Sequence, residues 1–312
     1  MARRDTAERD PSSTVNPVAA TLDLLGDRLT LALLGHAFVS GTTRFNQWLE
    51  LTGAPSSVLT DRLHSLAAAD VLERSPQAGS DRHEYLLTEL GTATWPILVC
   101  IWSWQREWTP EGAWQPDLVH DVCGHRGPAV IRCGSCHRVV TTHDTDIEMD
   151  AAAIWTVTSG ARRRSTRVPA GNTASADMQF NAVMEAIGDR WSGAITGLAL
   201  AGARRFGEFR SALDISPTTL TDRLARLCVA QILTHPSGSE RQYRLTHRGR
   251  ALFGVFVFLI RWSTQAYPEA AGPLRILHRD CGSILDPELQ CRGCDGHVDR
   301  QTARIEPMLP HP

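Results

Sequence analysis

The sequence predicts a mainly α-helical protein with small β-hairpins, of the α+β class, built as two tandem copies of one unit. Apolar residues recur at helical spacing, short strand–turn–strand runs follow them, and the whole order occurs twice. A shift of 158 residues places the run YLLT, 85–88, on YRLT, 243–246. Upstream the shift becomes 161, where LTDRL, 59–63, falls on LTDRL, 220–224. Length changes at so few places are typical of loops between fixed elements.

Composition limits the classes of protein that this chain can be. With 312 residues it can form two or three domains, and 42% hydrophobic with 21% charged residues is ordinary for a globular protein. The formal net charge is −2, so a nucleic-acid partner would have to be recognised by local patches. Residues 1–17 lack the apolar segment of a secretory signal, and the apolar run 251–260 is about half a membrane span. These features predict a cytoplasmic protein.

Three helices open each copy, and the second copy shows them more clearly. Phe180, Met184 and Ile187 lie on one helical face that ends near Gly188. Two further helices are predicted over 191–200 and 206–213. The corresponding segments of the first copy are 18–25, 29–34 and 45–51.

A fourth helix in each copy has an apolar face and a polar face. In the second copy Ser216 supplies a side-chain N-cap, and Pro217 suits the first helical position. Leu220, Leu224 and Leu227 form its buried side, so the opposite side can face a ligand. The first-copy equivalent is predicted over 56–69.

A β-hairpin and a long apolar helix complete each copy. In the second copy, strands at 232–234 and 243–245 flank a turn, and Thr246 caps a helix that continues to about Trp262. In the first copy the strands are 71–74 and 83–87, and the helix extends from Thr88 to about Trp104. A helix-turn-helix followed by a hairpin is a winged helix, so the sequence predicts two tandem winged helix-turn-helix domains.

The order of these motifs resembles the HxlR-type winged helix-turn-helix transcriptional regulators, relatives of the MarR family. The matching runs are LGDR (25–28) and IGDRW (187–191), RF (44–45 and 205–206), ISP (215–217), LTDRL (59–63 and 220–224) and Y-x-L-T-x-x-G (85–91 and 243–249). The resemblance implies that the fourth helix of each copy binds DNA. It also implies dimerisation through terminal helices in proteins that usually have one such domain. This chain departs from the family by carrying two domains and by adding a cysteine-rich tail to each.

The resemblance implies a set of DNA contacts on the fourth helices and the hairpin tips. Helices of this kind read base edges in the major groove while flanking side chains hold phosphates. The predicted contacts are Ser57, Thr60, Arg62, His64, Arg82, Thr218, Thr219, Thr221, Arg223, Arg226 and Arg241. Arg62 and Arg223 lie at the edge of the buried face, where each could instead pair with an aspartate. The alternative for the whole set is an ordinary solvated surface, which the outward Asp61 and Asp222 favour because a carboxylate repels phosphate.

Arginines divide unevenly between the two copies. More of them fall near the expected DNA-facing surface of the second copy, so we expect that copy to supply more of the salt-dependent affinity. A further basic cluster at 162–167 belongs to the segment between the copies. It is either a solvated linker or an arm that contacts phosphate.

Each copy ends in a His/Cys element with one spacing. The first element holds His120, Cys123, Cys133 and Cys136, with gaps of two, nine and two residues. The repeat holds His278, Cys281, Cys291 and Cys294. Two residues between ligands let a tight turn, or knuckle, place both side chains on one ion, and thiolate and imidazole suit tetrahedral Zn²⁺. We therefore expect one HisCys3 zinc-ribbon-like element per copy and two zinc ions per chain, each in a closed and hence structural site.

Disulfides, free thiols and an iron–sulfur cluster are the alternatives to zinc. A reducing compartment disfavours disulfides, and iron–sulfur clusters usually take four cysteines. The repeated pattern with its histidine disfavours free thiols. A redox-responsive zinc–thiolate regulator stays open, because zinc thiolates can be oxidised. Cys100 and Cys228 lie outside the pattern in apolar helices and are expected to be buried.

The predicted domain organisation follows from the repeat. It comprises a disordered N-terminus (1–14), winged helix-turn-helix domain 1 (15–110), zinc-ribbon-like element 1 (111–148), a linker (149–176), winged helix-turn-helix domain 2 (177–268), zinc-ribbon-like element 2 (269–306) and a tail (307–312).

The leading functional hypothesis is a cytoplasmic transcriptional regulator that reads double-stranded operator DNA. A protein-interaction scaffold is the alternative, and the absence of a catalytic triad, a phosphate loop and an open metal position argues against an enzyme. The apolar helices 96–102 and 251–260 either form core or mediate a homodimer. A small-molecule effector pocket lined by Trp95, Trp102 and Trp104 is the alternative to an aromatic core.

Overall fold

The computed structural model describes residues 16–76, 83–109, 117–149, 180–235, 242–270 and 274–306. The predicted N-terminus 1–14, the tail 307–312 and the linker, apart from Met149, lie outside these residues. So do Arg82 and Arg241, which the sequence predicts to lie at hairpin tips.

Helices dominate both copies and short antiparallel strands follow them, so the predicted α+β fold class is confirmed. The elements of the first copy are α1 (Pro17–Leu25), α2 (Arg28–Ser40), α3 (Phe45–Thr52), α4 (Ser56–Ala68), β1 (Leu72–Pro76), β2 (His83–Leu87), α5 (Glu89–Thr92), α6 (Trp95–Trp108), β3 (Asp117–His120), β4 (Val130–Cys133) and β5 (Thr145–Met149). Those of the second copy are α7 (Asn181–Ile187), α8 (Arg190–Leu200), α9 (Phe206–Leu213), α10 (Pro217–Val229), α11 (His247–Arg250), α12 (Phe253–Ala266), β6 (Leu274–His278), β7 (Pro287–Gln290), β8 (His297–Val298) and β9 (Ala303–Glu306).

The expected single helix after each hairpin is instead two helices, α5 then α6 and α11 then α12. The short helices lie directly against the hairpins: a Cβ on Gly91 would meet the Val71 carbonyl oxygen at 2.0 Å, and one on Gly249 would meet that of Ile232 at 2.2 Å. Only glycine permits this approach. The chain turns after each short helix, and the long helix that follows packs against other elements. This turn divides α5 from α6 and α11 from α12.

The two copies share one hydrophobic core. Helix α6 packs on α12, while α1 packs on α12 and α7 on α6. Fully buried side chains from both copies, such as Leu63 and Trp262, belong to the same contiguous cluster. The long apolar helices are therefore core and inter-copy interface at once. None of the described helices has both the length and the apolar character that crossing a bilayer requires.

Contacts between the copies are reciprocal. The indole Nε1 of Trp104 donates to the carbonyl oxygen of Arg248 at 2.9 Å, and that of Trp262 donates to the carbonyl oxygen of Leu90 at 2.9 Å. Both donors and both acceptors are related by the 158-residue shift. Paired contacts of this kind define a twofold interface, so the single chain contains a pseudo-twofold axis.

The C-terminal segments of the two copies interlace. Strand β3 pairs with β9, β5 pairs with β6, and β4 pairs with β7, which also pairs with β8. Each of the first three pairings joins strands from different copies. Ile131 lies opposite Leu289, its own equivalent, so the pseudo-twofold axis passes through this residue pair. The prediction of one separate ribbon per copy is wrong, because six of the seven strands in these segments, all except β8, pair with a strand of the other copy.

The hairpin of the second copy is shorter than expected. In the first copy β1 and β2 pair over five residues, from Leu72 opposite Leu87 to Pro76 opposite His83. Among the described residues, the second copy has one isolated bridge, Leu233 to Leu245. This bridge occupies the position of the Leu72–Leu87 pair, so the register is retained.

Candidate metal centres and DNA-reading helices

The eight predicted ligands come together, but in a partition different from the expected one. We name cluster A the set His120, Cys123, Cys291 and Cys294, and cluster B the set Cys133, Cys136, His278 and Cys281. Within each cluster the candidate ligand atoms all lie within 4.8 Å of one another. Each cluster takes one knuckle from each copy, so the within-copy pairing predicted from spacing is wrong. Either cluster could hold a metal ion.

The ligand atoms surround a common centre in both clusters. In cluster A, His120 Nδ1 lies 3.3 Å from Cys123 Sγ and 3.3 Å from Cys294 Sγ. In cluster B, His278 Nδ1 lies 3.3 Å from Cys136 Sγ and 3.3 Å from Cys281 Sγ. All six cysteines are free thiols. The Cys123–Cys291 and Cys133–Cys281 sulfur separations of 3.7 and 3.9 Å are far above the roughly 2.05 Å of a disulfide.

Short turns set the His-x-x-Cys knuckle of each copy. The N–H of Gly124 donates to the His120 carbonyl oxygen at 2.7 Å, and that of Gly282 donates to the His278 carbonyl oxygen at 2.8 Å. Both glycines adopt left-handed backbone, with φ of 70° and 68°. Side chains other than glycine adopt this conformation at a cost, which accounts for glycine directly after the cysteine in both copies.

Backbone donors stabilise thiolates in cluster B. The pKa of Cys136 lies below its ordinary value, chiefly because the backbone N–H of Arg138 donates to its sulfur. The pKa of Cys281 is lowered in the same way by the backbone N–H of Ser283. Burial raises the pKa of Cys133. At two of the three sulfurs the protein backbone thus favours the thiolate, which is the form that a cation needs.

The fourth helices, α4 and α10, present the polar faces that the sequence predicts. Ser57, His64, Thr218, Thr221 and Arg226 are exposed. Thr60 and Thr219 are half-buried. On the opposite sides, the leucines of both LTDRL motifs are buried in the core. These two helices are therefore anchored by apolar side chains and leave their polar sides accessible.

Two of the predicted DNA contacts form internal ion pairs. Arg62 Nη2 lies 2.7 Å from Asp27 Oδ2, and the side chains are only 13% and 23% exposed. Arg223 Nε lies 3.2 Å from Asp189 Oδ1 and Nη1 lies 2.6 Å from Asp222 Oδ2. Asp27 and Asp189 also cap α2 and α8 by accepting from backbone N–H groups. The GDR and LTDRL motifs are thus in contact in the fold. Both arginines pair with an aspartate, which is the alternative that the sequence left open.

The second copy presents more positive charge near α10, its predicted DNA-binding helix. Arg204, Arg205, Arg210 and Arg226 are all exposed there. Asp222 partly offsets Arg226, whose Nε lies 3.2 Å from the carboxylate. In the first copy, Ser65 stands where Arg226 stands in the second, and Arg44 pairs with Glu84 at 3.1 Å.

The remaining predicted side chains lie in or near the core. Cys228 is buried, Cys100 is half-buried, and burial raises the pKa of both thiols, that of Cys100 to about 12. Trp95, Trp102 and Trp104 are all buried. Of these three tryptophans only Trp104 borders a sizeable cavity. Trp95 and Trp102 therefore belong to the aromatic core and not to a ligand pocket.

Sequence comparison places the chain in a family. The model of the HxlR-like helix-turn-helix family matches residues 24–113 and 186–271, more than half of the chain. The chain belongs to the HxlR-like helix-turn-helix family. Both family matches coincide with the winged helix-turn-helix units, so the two HxlR-like domains are tandem copies within one chain.

Individual relatives are similar to one copy. Proteins of Mycobacterium bovis and Mycobacterium tuberculosis, both described as uncharacterized HTH-type transcriptional regulators, are 35% identical over 129 residues, which is 40% of this chain and 82% of theirs. A solved structure from Pseudomonas aeruginosa is 29% identical, covers 37% of this chain and 82% of its own, and has a TM-score of 0.31. Membership in the HxlR-like family indicates a transcriptional regulator, a class of protein that is typically not enzymatic.

Sequence reasoning missed three features of the site. It did not identify Asp27 and Asp189 as partners of the LTDRL arginines, although both motifs recur at matching positions. It did not foresee the exchange of knuckles between copies, since spacing is identical under either partition. It also offered a pocket lined by Trp95, Trp102 and Trp104, but it missed Arg250 and Arg292 in the lining of the cavity that Trp104 borders, for which the unequal residues of the two copies were the available signal.

Proposed function

We propose that this chain is a cytoplasmic transcriptional regulator that binds double-stranded DNA as the single-chain counterpart of a symmetric dimer, with α4 and α10 reading two half-sites. The reciprocal contacts across the pseudo-twofold axis carry this proposal, above all the paired Trp104 and Trp262 hydrogen bonds. Twofold-related helix-turn-helix units bind half-sites about one helical turn apart. Ser57, Thr60, His64, Thr218, Thr219, Thr221 and Arg226 would contact the DNA, with Arg82 and Arg241 at the hairpin tips.

Arg62 and Arg223 take a different role in this proposal. The aspartates that cap α2 and α8 hold the side chains of both arginines. The arginines therefore orient the reading helices, and they would contact phosphate only through the edges of their guanidinium groups. Charge recognition then falls mainly on the exposed arginines of the second copy.

Selection of bound duplexes from a random-sequence pool tests the proposal. We expect enriched sequences with two half-sites about 10 base pairs apart, centre to centre, because one chain supplies two reading helices. A single half-site would contradict the paired arrangement, and four half-sites would indicate a homodimer of the whole chain. Failure to enrich any sequence would favour a protein-interaction scaffold instead.

The salt dependence of DNA binding tests the unequal division of charge. Arg226→Ala should lower the slope of log affinity against log salt by about 1, because one phosphate contact is lost. Ser65→Ala changes the pseudo-equivalent position of α4 and serves as the matched control. The slope should stay unchanged in this control when it is measured by mobility shift from 50 to 200 mM salt. Equal changes in the two variants would refute the prediction.

We assign Zn²⁺ to clusters A and B because their donor sets and spacing fit it. Three thiolates and one imidazole form a closed tetrahedral set, and zinc–sulfur bonds of about 2.3 Å require sulfur separations of about 3.8 Å. The separations of 3.7 and 3.9 Å agree with this value. Zinc would stabilise the fold by fastening a knuckle of one copy to a knuckle of the other. The residues themselves bring the four donors together.

Paired cysteine variants distinguish the crossed partition from the within-copy one. Cys123→Ser with Cys291→Ser changes cluster A alone, so the purified chain should retain one zinc ion. Cys123→Ser with Cys133→Ser changes both clusters and should retain none. The within-copy partition predicts the two results in reverse. Zinc is counted by mass spectrometry of the folded protein, with the unmodified chain expected to hold two.

A further inference from the structure

The pseudo-twofold symmetry is broken at one cavity. A space of about 370 Å³ lies between α6, the start of α12 and the interlaced strands, and it is within the size range of small-molecule sites. Its walls include Cys100, Ser103 and Trp108 of the first copy, and Arg250 and Arg292 of the second.

Small residues open this cavity on the first-copy side. Ser103 corresponds to Arg261 under the 158-residue shift, and Cys100 corresponds to Phe258. Arg261 occupies the equivalent region on the other side, where its Nη1 donates to the Pro287 carbonyl oxygen at 2.6 Å and lies 3.3 Å from the Asp286 carboxylate. Phe258 is buried there. The loss of two large side chains on one side leaves space that the other side fills.

Basic side chains border the cavity at three positions where the equivalent side has none. His247, Arg250 and Arg292 correspond to Glu89, Thr92 and Gly134. Arg250 donates to the Leu245 carbonyl oxygen at 2.8 Å, and neither Arg250 nor Arg292 is seen to pair with a carboxylate among the described residues. Glu107 is the one acidic residue of the described lining, and it is exposed.

Flat apolar surface supplies the rest of the wall. Trp108 lies against His247 with ring centroids 6.4 Å apart and an interplanar angle of 33°. Trp104 is buried beside it, with Ile131 and Phe253 also lining the cavity. Indole faces bind aromatic bodies, and guanidinium groups bind carboxylates.

We propose that this cavity binds an aromatic carboxylate, with the ring against Trp108 and the carboxylate toward Arg250 and Arg292. Such a ligand would touch both copies. Arg250 belongs to α11, which Thr246 ties to the second hairpin, and Arg292 lies inside a knuckle of cluster A. A role for this ligand as an effector of DNA binding rests on the proposed function, whereas binding of the ligand to the cavity does not.

Calorimetric titration of the zinc-loaded full chain with 2-naphthoate tests the proposal. The neutral 2-naphthamide is the matched probe, and we expect it to bind at least tenfold more weakly. Ser103→Arg, which installs the residue of the equivalent side, should abolish binding by filling the cavity. Arg250→Thr and Arg292→Gly, also taken from the equivalent side, should each weaken 2-naphthoate at least tenfold and 2-naphthamide less than twofold. Arg210→Thr removes an exposed arginine of α9 and should change neither affinity.

Three results would overturn the proposal: no binding of 2-naphthoate at millimolar concentration, equal affinities for the two probes, or unchanged binding to the Ser103→Arg variant. Circular dichroism and zinc content confirm that each variant is folded, and the two charge variants provide a second test if Ser103→Arg is not. Because the titration contains no DNA, its result is independent of the half-site selection. Binding of 2-naphthoate without any DNA binding would refute the proposed function alone.

Discussion

At the scale of single residues, the ion pair between Arg62 and Asp27 explains why two separate motifs recur together. The aspartate caps α2 and the arginine belongs to α4, so their 2.7 Å contact ties these two helices to each other. An exposed arginine would serve phosphate binding better, but it would leave α2 and α4 joined by apolar packing alone. The same arrangement in the second copy, between Arg223 and Asp189, indicates a structural requirement of the unit.

Replacement of Arg62 should therefore reduce stability more than replacement of an exposed arginine. Arg62→Met should lower the free energy of unfolding by about 1–2 kcal/mol, since it leaves a partly buried carboxylate without its cation. In an Asp27→Asn background, which keeps the helix cap, Arg62→Met should lower the free energy of unfolding by about 1 kcal/mol less than it does in the unmodified chain. Arg226→Met, at a side chain 59% exposed, is the control and should change stability by no more than about 0.5 kcal/mol. Urea unfolding measures all four; equal losses for Arg62 and Arg226 would disprove the structural role.

The candidate metal ligands also show, residue by residue, what the sequence could and could not predict. Local spacing identifies a knuckle, because two intervening residues place two side chains on one ion, and all eight candidate ligands were predicted in this way. Which knuckles combine depends on where strands β3, β4, β6 and β7 take them. Since the spacing is the same in both copies, the two partitions satisfy every local rule equally, and only the fold distinguishes them.

At the scale of elements, the helix that follows each hairpin is the clearest departure from expectation. Apolar periodicity continues through 88–104 and 246–262, so the pattern alone predicts one helix in each copy. The break arises from tertiary contact, because Gly91 and Gly249 allow the short helices to lie directly against carbonyl groups of the hairpins. The order of helices, hairpin and final helix could be predicted because periodicity and capping act locally. The turn between the short and the long helix could not be predicted, because a neighbouring element imposes it.

The close approach at Gly91 leads to a specific expectation for stability. Gly91→Ala should lower the free energy of unfolding by about 2 kcal/mol or more, because the new Cβ would lie 2.0 Å from a backbone oxygen that cannot move aside. Gly249→Ala should behave alike. Gly207→Ala is the control: it lies in α9 with no atom within 4 Å of its Cβ position, so alanine should raise stability by up to about 1 kcal/mol. Thermal unfolding compares the three, and a neutral Gly91→Ala would show that α5 is free to move.

At the scale of the whole molecule, the two copies form one body rather than two linked domains. Repeated units usually fold separately when few contacts join them. Here α6 and α12 share a core, three sheets join strands of both copies, and each cluster draws ligands from both. One copy alone would expose the apolar side of its long helix and leave half of each metal site without partners.

This arrangement predicts a single cooperative unfolding transition. Neither copy can lose its fold without opening the shared core and both crossed clusters, so intermediates with one copy folded should be unstable. In scanning calorimetry of the zinc-loaded chain, the calorimetric and van't Hoff enthalpies should therefore agree. The variant Cys123→Ser with Cys133→Ser, which changes both clusters, should unfold at a lower temperature because metal binding contributes directly to folding. It should still unfold in one step, since the α6–α12 core remains. Two resolved transitions in the zinc-loaded chain would instead mean that the copies fold independently and that the interlaced strands contribute little to joining them.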